Sequence, residues 1–363
     1  MTVQNRQWTL ARAPDGALPE PGDFALRETA IPEPGPHQML TRTIYLSLDP
    51  YQWGRRKAGT EAPGDVCHGR TVSQVLTSRL AGYAEGDYVF NTSGWQDYAL
   101  TGEGVSIFGY MHPRKLDPAA APISTALGVL GMLGLTAYGG MMVQCAPRAG
   151  ETAVVSAASG GVGQVAAQLA KIAGCRVVGI AGAREKCEFV TGTLGIDACV
   201  SHLSPSFAED LKQACDGKVD VYFENVGGRV FDAVLPLFAN GARVSLCGVI
   251  SQYTGAGPAE SREALIERGR AVFDSRAVRV QQLSVSSFVP THQERFLSEM
   301  ADWVRDGRVK YREDLHPGLE NAPAVFRAMI EGRNFGKTLV GVGEDPSLDE
   351  VTRRRRAAGN VLA

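Results

Sequence analysis

Over the first hundred residues, apolar positions come in short runs broken by Pro, Gly and Asp. QMLTRTIYLSL at 38–48 and GDYVFNTSGWQDYAL at 86–100 are two such runs, with turn residues between them at short spacing. That pattern predicts a mostly β region. From about residue 123 the pattern changes. STALGVLGMLGLTAYGGMM at 124–142 is apolar, rich in small residues and of helix length. Strand-like and helix-like stretches then alternate. TAVVSAA precedes VGQVAAQLAKIAG, CRVVGIAG precedes REKCEFVTGTLG, and DACVSH, VDVYFENV and ARVSLCGVI follow with amphipathic segments between them. Such alternation predicts an α/β region built on a doubly wound parallel sheet covered by helices. Beyond residue 300, ADWVRDGRVK and APAVFRAMIEG read as helices and GKTLVGVG as a closing strand. There is no internal repeat and no low-complexity tract.

Within the alternating region, VVSAASGGVGQ carries A-x-x-G-x-x-G on Ala157, Gly160 and Gly163. Small residues there turn the chain sharply out of a strand and let the backbone approach a pyrophosphate. The helix beginning near Gly161 offers its N–H groups and positive dipole end to that anion. The strand before, the helix after and the second strand beyond are the context that gives the motif meaning. An NAD site carries an acidic residue about 20 residues past the glycines. Here that place holds Ala181, Gly182 and Ala183, followed by Arg184 and Lys186. Small residues leave room for a 2′-phosphate and two cations can neutralise it, so NADP(H) is the expected cofactor. The bland alternatives are tight helix–strand packing for the glycines and ordinary surface charges for Arg184 and Lys186.

Composition narrows the class. A length of 363 residues suggests two domains, and 44% hydrophobic with 21% charged residues fits a soluble globular chain with a sizeable core. A formal net charge of −2 gives no electrostatic reason to expect nucleic acid or an anionic membrane. No apolar run is long enough for a membrane span, and MTVQNRQWTLARAPDG lacks the apolar core of a secretion signal. The cysteines, Cys67, Cys145, Cys175, Cys187, Cys199, Cys215 and Cys247, are scattered and never form C-x-x-C. That argues against a disulfide framework or a structural zinc site and points to a reducing cytoplasm. RRRR at 353–356 reads as a solvated end segment.

Several motifs together resemble one family. They are NRQWTLARAPDGALPEPGDFAL at 5–26, YLSLDPY at 45–51, LGMLGLTAY at 130–138, ENVGG at 224–228, CGVISQY at 247–253, KYREDLHPGLENAPAVF at 310–326 and GRNFGK at 332–337. The chain resembles the zinc-independent medium-chain dehydrogenase/reductases, in the leukotriene B4 12-hydroxydehydrogenase/prostaglandin reductase group with its curcumin and alkenal double-bond reductases. The resemblance implies a GroES-like catalytic domain over 1–126 and 303–363, a Rossmann domain over 127–302 and the cofactor in the cleft. It implies a homodimer that reduces the C=C bond of α,β-unsaturated aldehydes and ketones with NADPH. Carried over by position, Lys186 would hold the 2′-phosphate, and Asn225 and Asn334 would contact the ribose and nicotinamide side. Tyr253 would bond near the substrate carbonyl and Tyr51 would line the pocket. Gly161, Val162, Gly182, His202, Cys247, Gly248 and Phe288 complete the implied cofactor set.

The residues offer independent checks on the chemistry. YLSLDPYQW has no Cys where zinc alcohol dehydrogenases carry a ligand, and adjacent Cys67 and His68 lack a third ligand at metal spacing. No metal is expected. Without a Lewis acid the substrate must accept hydride unaided, as a conjugated carbonyl does at its β-carbon, and the enolate oxygen needs a donor. A neutral tyrosine hydroxyl suits that task, and Tyr253 follows the ARVSLCGVI strand at the end where ligands gather. Other positions depart from the family pattern. Gln52 and Trp53 alter a segment expected beside the pocket, and His68, Arg70 and Ser73 replace small residues. Ala183 stands for a serine, His202 for a tyrosine, and SSFVPTHQERF at 286–296 replaces a longer loop. A specialised substrate is therefore expected, with the favoured direction open. The rival readings are a zeta-crystallin-type quinone oxidoreductase and, from another class, a non-catalytic NADPH-binding protein.

Overall fold

The computed structural model describes residues 4–105, 111–253, 261–349, 352 and 361–362. The RRRR segment at 353–356 lies outside them. The chain divides into two compact units, one of Met1–Leu127 with Glu313–Val361 and one of Gly128–Arg312 with Leu362–Ala363. The second seam falls at 312/313, downstream of the expected 303.

In the first unit, β1 (Asn5–Leu10) and β2 (Phe24–Thr29) form an antiparallel pair. The main sheet is built on β3 (Gln38–Ser47), whose first half alternates between half-buried and buried residues and whose second half is buried throughout. A one-sided strand thus becomes a central one. Helix α1 (Tyr51–Lys57) follows at once, with Arg55, Arg56 and Lys57 in the last turn, where cations suit the helix dipole. Then come β4 (Thr71–Ser78), β5 (Tyr88–Asn91), β6 (Tyr98–Gly102) and β7 (Arg114–Leu116).

The second unit opens on α2 (Met132–Tyr138), continued by a wider helical turn over Gly139–Cys145. The expected single helix over 124–142 is therefore divided. Its start is a tight turn at Ile123–Leu127, which belongs to the first unit. The cause is close packing. A Cβ on Gly140 would lie 2.5 Å from both Leu283 and Phe223. Strands β8 (Thr152–Val155), β9 (Arg176–Ala181), β10 (Ala198–Ser201) and β11 (Val219–Glu224) alternate with α3 (Gly163–Ile172), α4 (Arg184–Glu188) and α5 (Phe207–Ala214). After them come α6 (Gly228–Val234), β12 (Phe238–Leu246), α7 (Arg262–Ser275), β13 (Arg279–Gln282) and α8 (Val289–Arg305). ADWVRDGRVK is helical only to Arg305.

The chain ends in β14 (Arg312–Pro317), α9 (Ala322–Ile330), β15 (Lys337–Gly341) and the short β16 (Val361–Leu362). Among the described residues the first unit carries an eight-stranded sheet ordered β16-β14-β15-β3-β4-β5-β7, with β6 on β3. The second carries a six-stranded sheet ordered β10-β9-β8-β11-β12-β13, parallel throughout. Beyond β8 the strand order reverses, which puts the switch point at the carboxyl ends of β8 and β11. The expected class, a doubly wound α/β unit with a mostly β companion, is the observed one.

A fully buried charge set joins distant parts of the first unit. Asp49, just past β3, receives Arg70 Nη2 at 2.5 Å, Lys337 Nζ at 2.9 Å and Ser47 Oγ at 2.6 Å. Lys337 also donates to the Leu48 carbonyl at 2.7 Å. Burial alone would raise the Asp49 pKa, but Arg70 and Lys337 overcome it and hold the carboxyl well below the usual range. Burial pushes Lys337 down to about 8 against the pull of Asp49. Replacing Lys337 with Met is expected to destabilise this unit by about 3–5 kcal/mol, because a buried charge loses its partner. Urea unfolding followed through Trp8, Trp53 and Trp95 fluorescence checks this, and a loss below ~1 kcal/mol would contradict the assignment.

Candidate active site

Strand β8 leaves the sheet through Ser156 and Ala157. Ala157 takes a left-handed backbone with φ of 49°, unusual for a residue bearing a Cβ. The turn closes through Gly160 N–H to the Ala157 carbonyl at 2.9 Å, and Ala158 N–H bonds Ile180 O of β9 at 2.9 Å. A Cβ on Gly163 would sit 2.1 Å from the Ala157 carbonyl oxygen, so only glycine lets α3 start this close to the turn. Gly160, Gly161 and Val162 are half-exposed at the start of that helix. The cradle fits a pyrophosphate: backbone without side-chain bulk, facing the positive end of a ten-residue helix.

The neighbouring loops are knotted by a residue the sequence reading missed. Glu224, the last residue of β11, is fully buried. Its carboxyl accepts from Ser156 Oγ at 2.8 Å and Gly227 N at 3.1 Å, and also from the Tyr222 hydroxyl and Val226 N. Its main-chain carbonyl accepts from Cys247 N and Gly248 N at 2.9 and 3.1 Å. Burial raises its pKa, against the opposing effect of those hydrogen bonds. Asn225 adds Nδ2 to the Ser156 carbonyl and N to Ser156 Oγ, both at 2.7 Å. One residue, through its carboxyl and its main-chain carbonyl, thus ties the loops after β8, β11 and β12 together at the switch point. The signal available in VDVYFE was an acid closing an otherwise apolar strand.

At the end of β9, Gly182 lies beside His202; a Cβ there would come 3.3 Å from His202 Nε2. Ser201 Oγ donates to the Gly182 carbonyl at 2.5 Å. Burial lowers the His202 pKa, and the positive charges of Arg229 and Lys186 lower it further. Arg184 is almost wholly exposed and paired with Glu188 at 2.6 Å. The cations whose charge reaches His202, the neighbour of Gly182, are therefore Lys186 and Arg229 of α6, and Arg229 went unnoticed in the sequence.

Tyr253 ends a short turn over Ile250–Tyr253, half-buried. Burial raises its pKa more than Gln252 and Arg262 lower it, so the hydroxyl is a neutral donor. Residues 254–260 after it lie outside the described set. Burial raises the Cys247 thiol to about 12, keeping it uncharged. Phe288 turns inward: a Cβ on Gly139 would lie 2.5 Å from its ring.

The remaining expected residues belong to the first unit. Asn334 donates Nδ2 to the Gly336 carbonyl at 3.1 Å. The Tyr51 hydroxyl lies 2.9 Å from His68 Nε2. The departures expected beside a pocket mostly face the interior instead. Gln52 accepts from Asp49 N at 3.1 Å, and Trp53 Nε1 donates to Ala17 O at 2.8 Å. Arg70 pairs with Asp49, and Ser73 Oγ donates to Asn91 Oδ1 at 3.2 Å. Among the described residues no three His, Cys, Asp or Glu side chains gather as a metal site. Cys67 is fully buried, and burial lifts its thiol to about 12.

Residues 6–107 match the family described as the N-terminal domain of oxidoreductase, and residues 161–296 that described as zinc-binding dehydrogenase. The chain is 43% identical over 350 residues to the NADPH-dependent curcumin reductase of Escherichia coli, covering 94% of this chain and 98% of that one. It is 35% identical over 345 residues to prostaglandin reductase 1 of Mus musculus, covering 93% and 99%. The crystal structure of CurA in complex with NADPH from Vibrio vulnificus aligns with TM-score 0.85 and 41% identity, covering 94% and 100%.

Gly163→Ala tests the cradle. The forced retreat of Ala157 from α3 is expected to cost about 1–3 kcal/mol, the range for overpacking, and to weaken dinucleotide binding. Gly192→Ala, where a Cβ meets nothing within 4 Å, is the control. Thermal unfolding and cofactor titration of both variants read the outcome, and equal behaviour would contradict the role given to Gly163.

Proposed function

The chain belongs to the medium-chain dehydrogenase/reductase family, in the group of the curcumin, prostaglandin and alkenal reductases, and from that premise we propose that it reduces the C=C bond of an α,β-unsaturated ketone or aldehyde with NADPH. The observation that carries the reading is the paired geometry at the sheet ends: a small-residue cradle at Ala157–Gly163 beside a carboxylate-free, basic corner at Gly182. When bound, NADPH supplies the hydride that the β-carbon of the conjugated system accepts.

This chain's own residues do the rest. Gly160, Gly161, Val162 and Gly163 hold the pyrophosphate, and Lys186, with Arg229 and His202, takes the 2′-phosphate. Asn225 and Asn334 orient the ribose and nicotinamide side, and Cys247 and Gly248 border it. Tyr253 keeps its proton because burial disfavours the phenolate, so it donates to the carbonyl oxygen as negative charge collects there. Tyr51 lines the substrate side. No zinc takes part, a reading supported by the absence of Cys from YLSLDPYQW and of a third ligand at metal spacing beside Cys67 and His68. The enzyme works as a cytoplasmic homodimer, a reading supported by the family resemblance and by seven unpaired cysteines. NADPH consumption across enones, enals and quinones tests the substrate class, and turnover of quinones alone would overturn it.

Cofactor choice gives a sharper test. Lys186→Ala should weaken NADPH binding by about 1.5–3 kcal/mol, the loss of a charge-assisted contact, and leave NADH binding unchanged. Equal affinity of the native protein for the two cofactors would sink the assignment.

For the proton side, Tyr253→Phe keeps the ring and removes only the donor. Single-turnover reduction of an accepted enone should slow by about 10²–10³, with the loss in kcat rather than KM. An unchanged rate would leave Tyr253 as a pocket wall.

A further inference from the structure

Of the five replacements in the first unit, Gln52, Trp53, Arg70 and Ser73 are fully buried and serve the interior. His68 is the exception. It is half-buried, and its Nε2 meets the hydroxyl of half-buried Tyr51 at 2.9 Å, with ring centroids 6.1 Å apart. We propose that His68 is a positioning residue, fixing the direction in which the Tyr51 phenol hydrogen-bonds to the substrate. The inference rests on the reading of this chain as an enone reductase with Tyr51 on the substrate side.

Both partners are held rigidly. The main chain of His68 is clamped on both sides: its N–H donates to Glu61 Oε2 at 3.1 Å and its carbonyl accepts from Arg56 Nη2 at 3.2 Å. Arg56 closes the ring by pairing Nε with Glu61 at 2.9 Å. Its guanidinium is caged by aromatic rings, with Trp95 at 4.7 Å, Phe326 at 5.1 Å and Phe24 at 5.7 Å. At the next residue, a Cβ on Gly69 would lie 2.6 Å from Leu46 and 2.9 Å from Trp95, so the chain is pressed flat there. Tyr51 opens α1, whose start is fixed by reciprocal bonds between Asp49 and Gln52, both at 3.1 Å.

Burial first, and then the charge around the imidazole, decides its form. Burial lowers the His68 pKa to about 3, and Arg56, Arg70 and Arg55 push it the same way against Asp49. Glu61 meets its main chain and Tyr51 its ring. The imidazole therefore stays neutral at working pH and offers one donor and one acceptor nitrogen. With Nε2 as the donor nitrogen, the neutral ring gives its hydrogen to the phenol oxygen and leaves the phenol's own hydrogen for the substrate carbonyl, without adding charge to the pocket.

The test uses His68→Val, His68→Gln, Tyr51→Phe and the His68→Val/Tyr51→Phe double variant. 4-Phenylbut-3-en-2-one and NADPH serve as probes, and kcat, KM, NADPH affinity and thermal midpoint are measured for each protein. His68→Val is expected to lose about tenfold in kcat/KM, the worth of one hydrogen bond, with NADPH affinity unchanged. The double variant should be no slower than Tyr51→Phe alone, and His68→Gln should recover most of the rate. The native kcat should show no titration near pH 6.5. A native rate in His68→Val, or losses that multiply in the double variant, would overturn the proposal while leaving the enone-reductase reading intact. If His68→Val fails to fold, His68→Gln against His68→Gln/Tyr51→Phe gives the same comparison. Should the native protein reduce no enone, that reading fails by itself. The pair is then tested by binding of the saturated ketone 4-phenylbutan-2-one to the NADP⁺-loaded protein. About tenfold weaker binding in both His68→Val and Tyr51→Phe supports the pair. Equal binding in all proteins, or none to the native one, overturns it.

Discussion

The Asp49 carboxylate is the point on which the first unit depends. It lies without solvent between Arg70 and Lys337, residues brought by β4 and β15 to the end of β3. Removing such a charge from water costs several kcal/mol, and the pairing recovers that only when every donor is in place. The cluster is therefore better understood as a geometric constraint than as a source of stability. It forces the C-terminal strand β15 to lie where Lys337 reaches both Asp49 and the Leu48 carbonyl. The same residue begins the link to α1, so the position of Tyr51 follows from how Asp49 is satisfied.

The second unit solves a similar problem without cations. Glu224 is equally buried, but its donors are a tyrosine hydroxyl, a serine hydroxyl and main-chain N–H groups. Burial then dominates and its pKa rises, whereas that of Asp49 falls. The contrast has a functional sense. A full charge at the carboxyl ends of β8 and β11 would oppose the phosphates the cradle is shaped to receive. A carboxyl satisfied by neutral donors ties the loops after β8 and β11 together without bringing further side-chain charge to the anion site.

What the sequence made legible was local. The strand–turn–helix at 152–172 shows in the apolar run, the small residues and the amphipathic stretch after them, and the structure forms all three. The missing carboxylate at 181–183 shows for the same reason. The helix expected over 124–142 breaks because its glycines answer to Phe223, Leu283 and Phe288, residues far along the chain. Arg56 is a stronger case. Nothing in YQWGRRK separates it from its neighbours Arg55 and Lys57, yet it alone enters the cage of Phe24, Trp95 and Phe326. Three-body packing of residues distant in sequence leaves no periodic trace. Glu224 and Arg229 stayed hidden in the same way, as ordinary charges at element ends.

The departures at 52, 53, 68, 70 and 73 gain coherence from that packing. An arginine in place of a small residue at 70 is tolerable only with a buried anion beside it, and Asp49 is that anion. Gln52 in turn holds the main chain of Asp49 and Ser47 in the position the ion pair needs. With Arg56 committed to Glu61 and the aromatic cage, the charges of three arginines, Arg56, Arg70 and Arg55, act on position 68 in the same direction as burial. A carboxylate at 68 would be drawn into that cluster, and a lysine would be expelled from it. A histidine there is compelled to be neutral, which leaves its ring to act as a hydrogen-bonding wall for Tyr51. Burial, and after it the cations of the Asp49 and Arg56 clusters, thus dictate the chemical form of the residue facing the first side chain of α1.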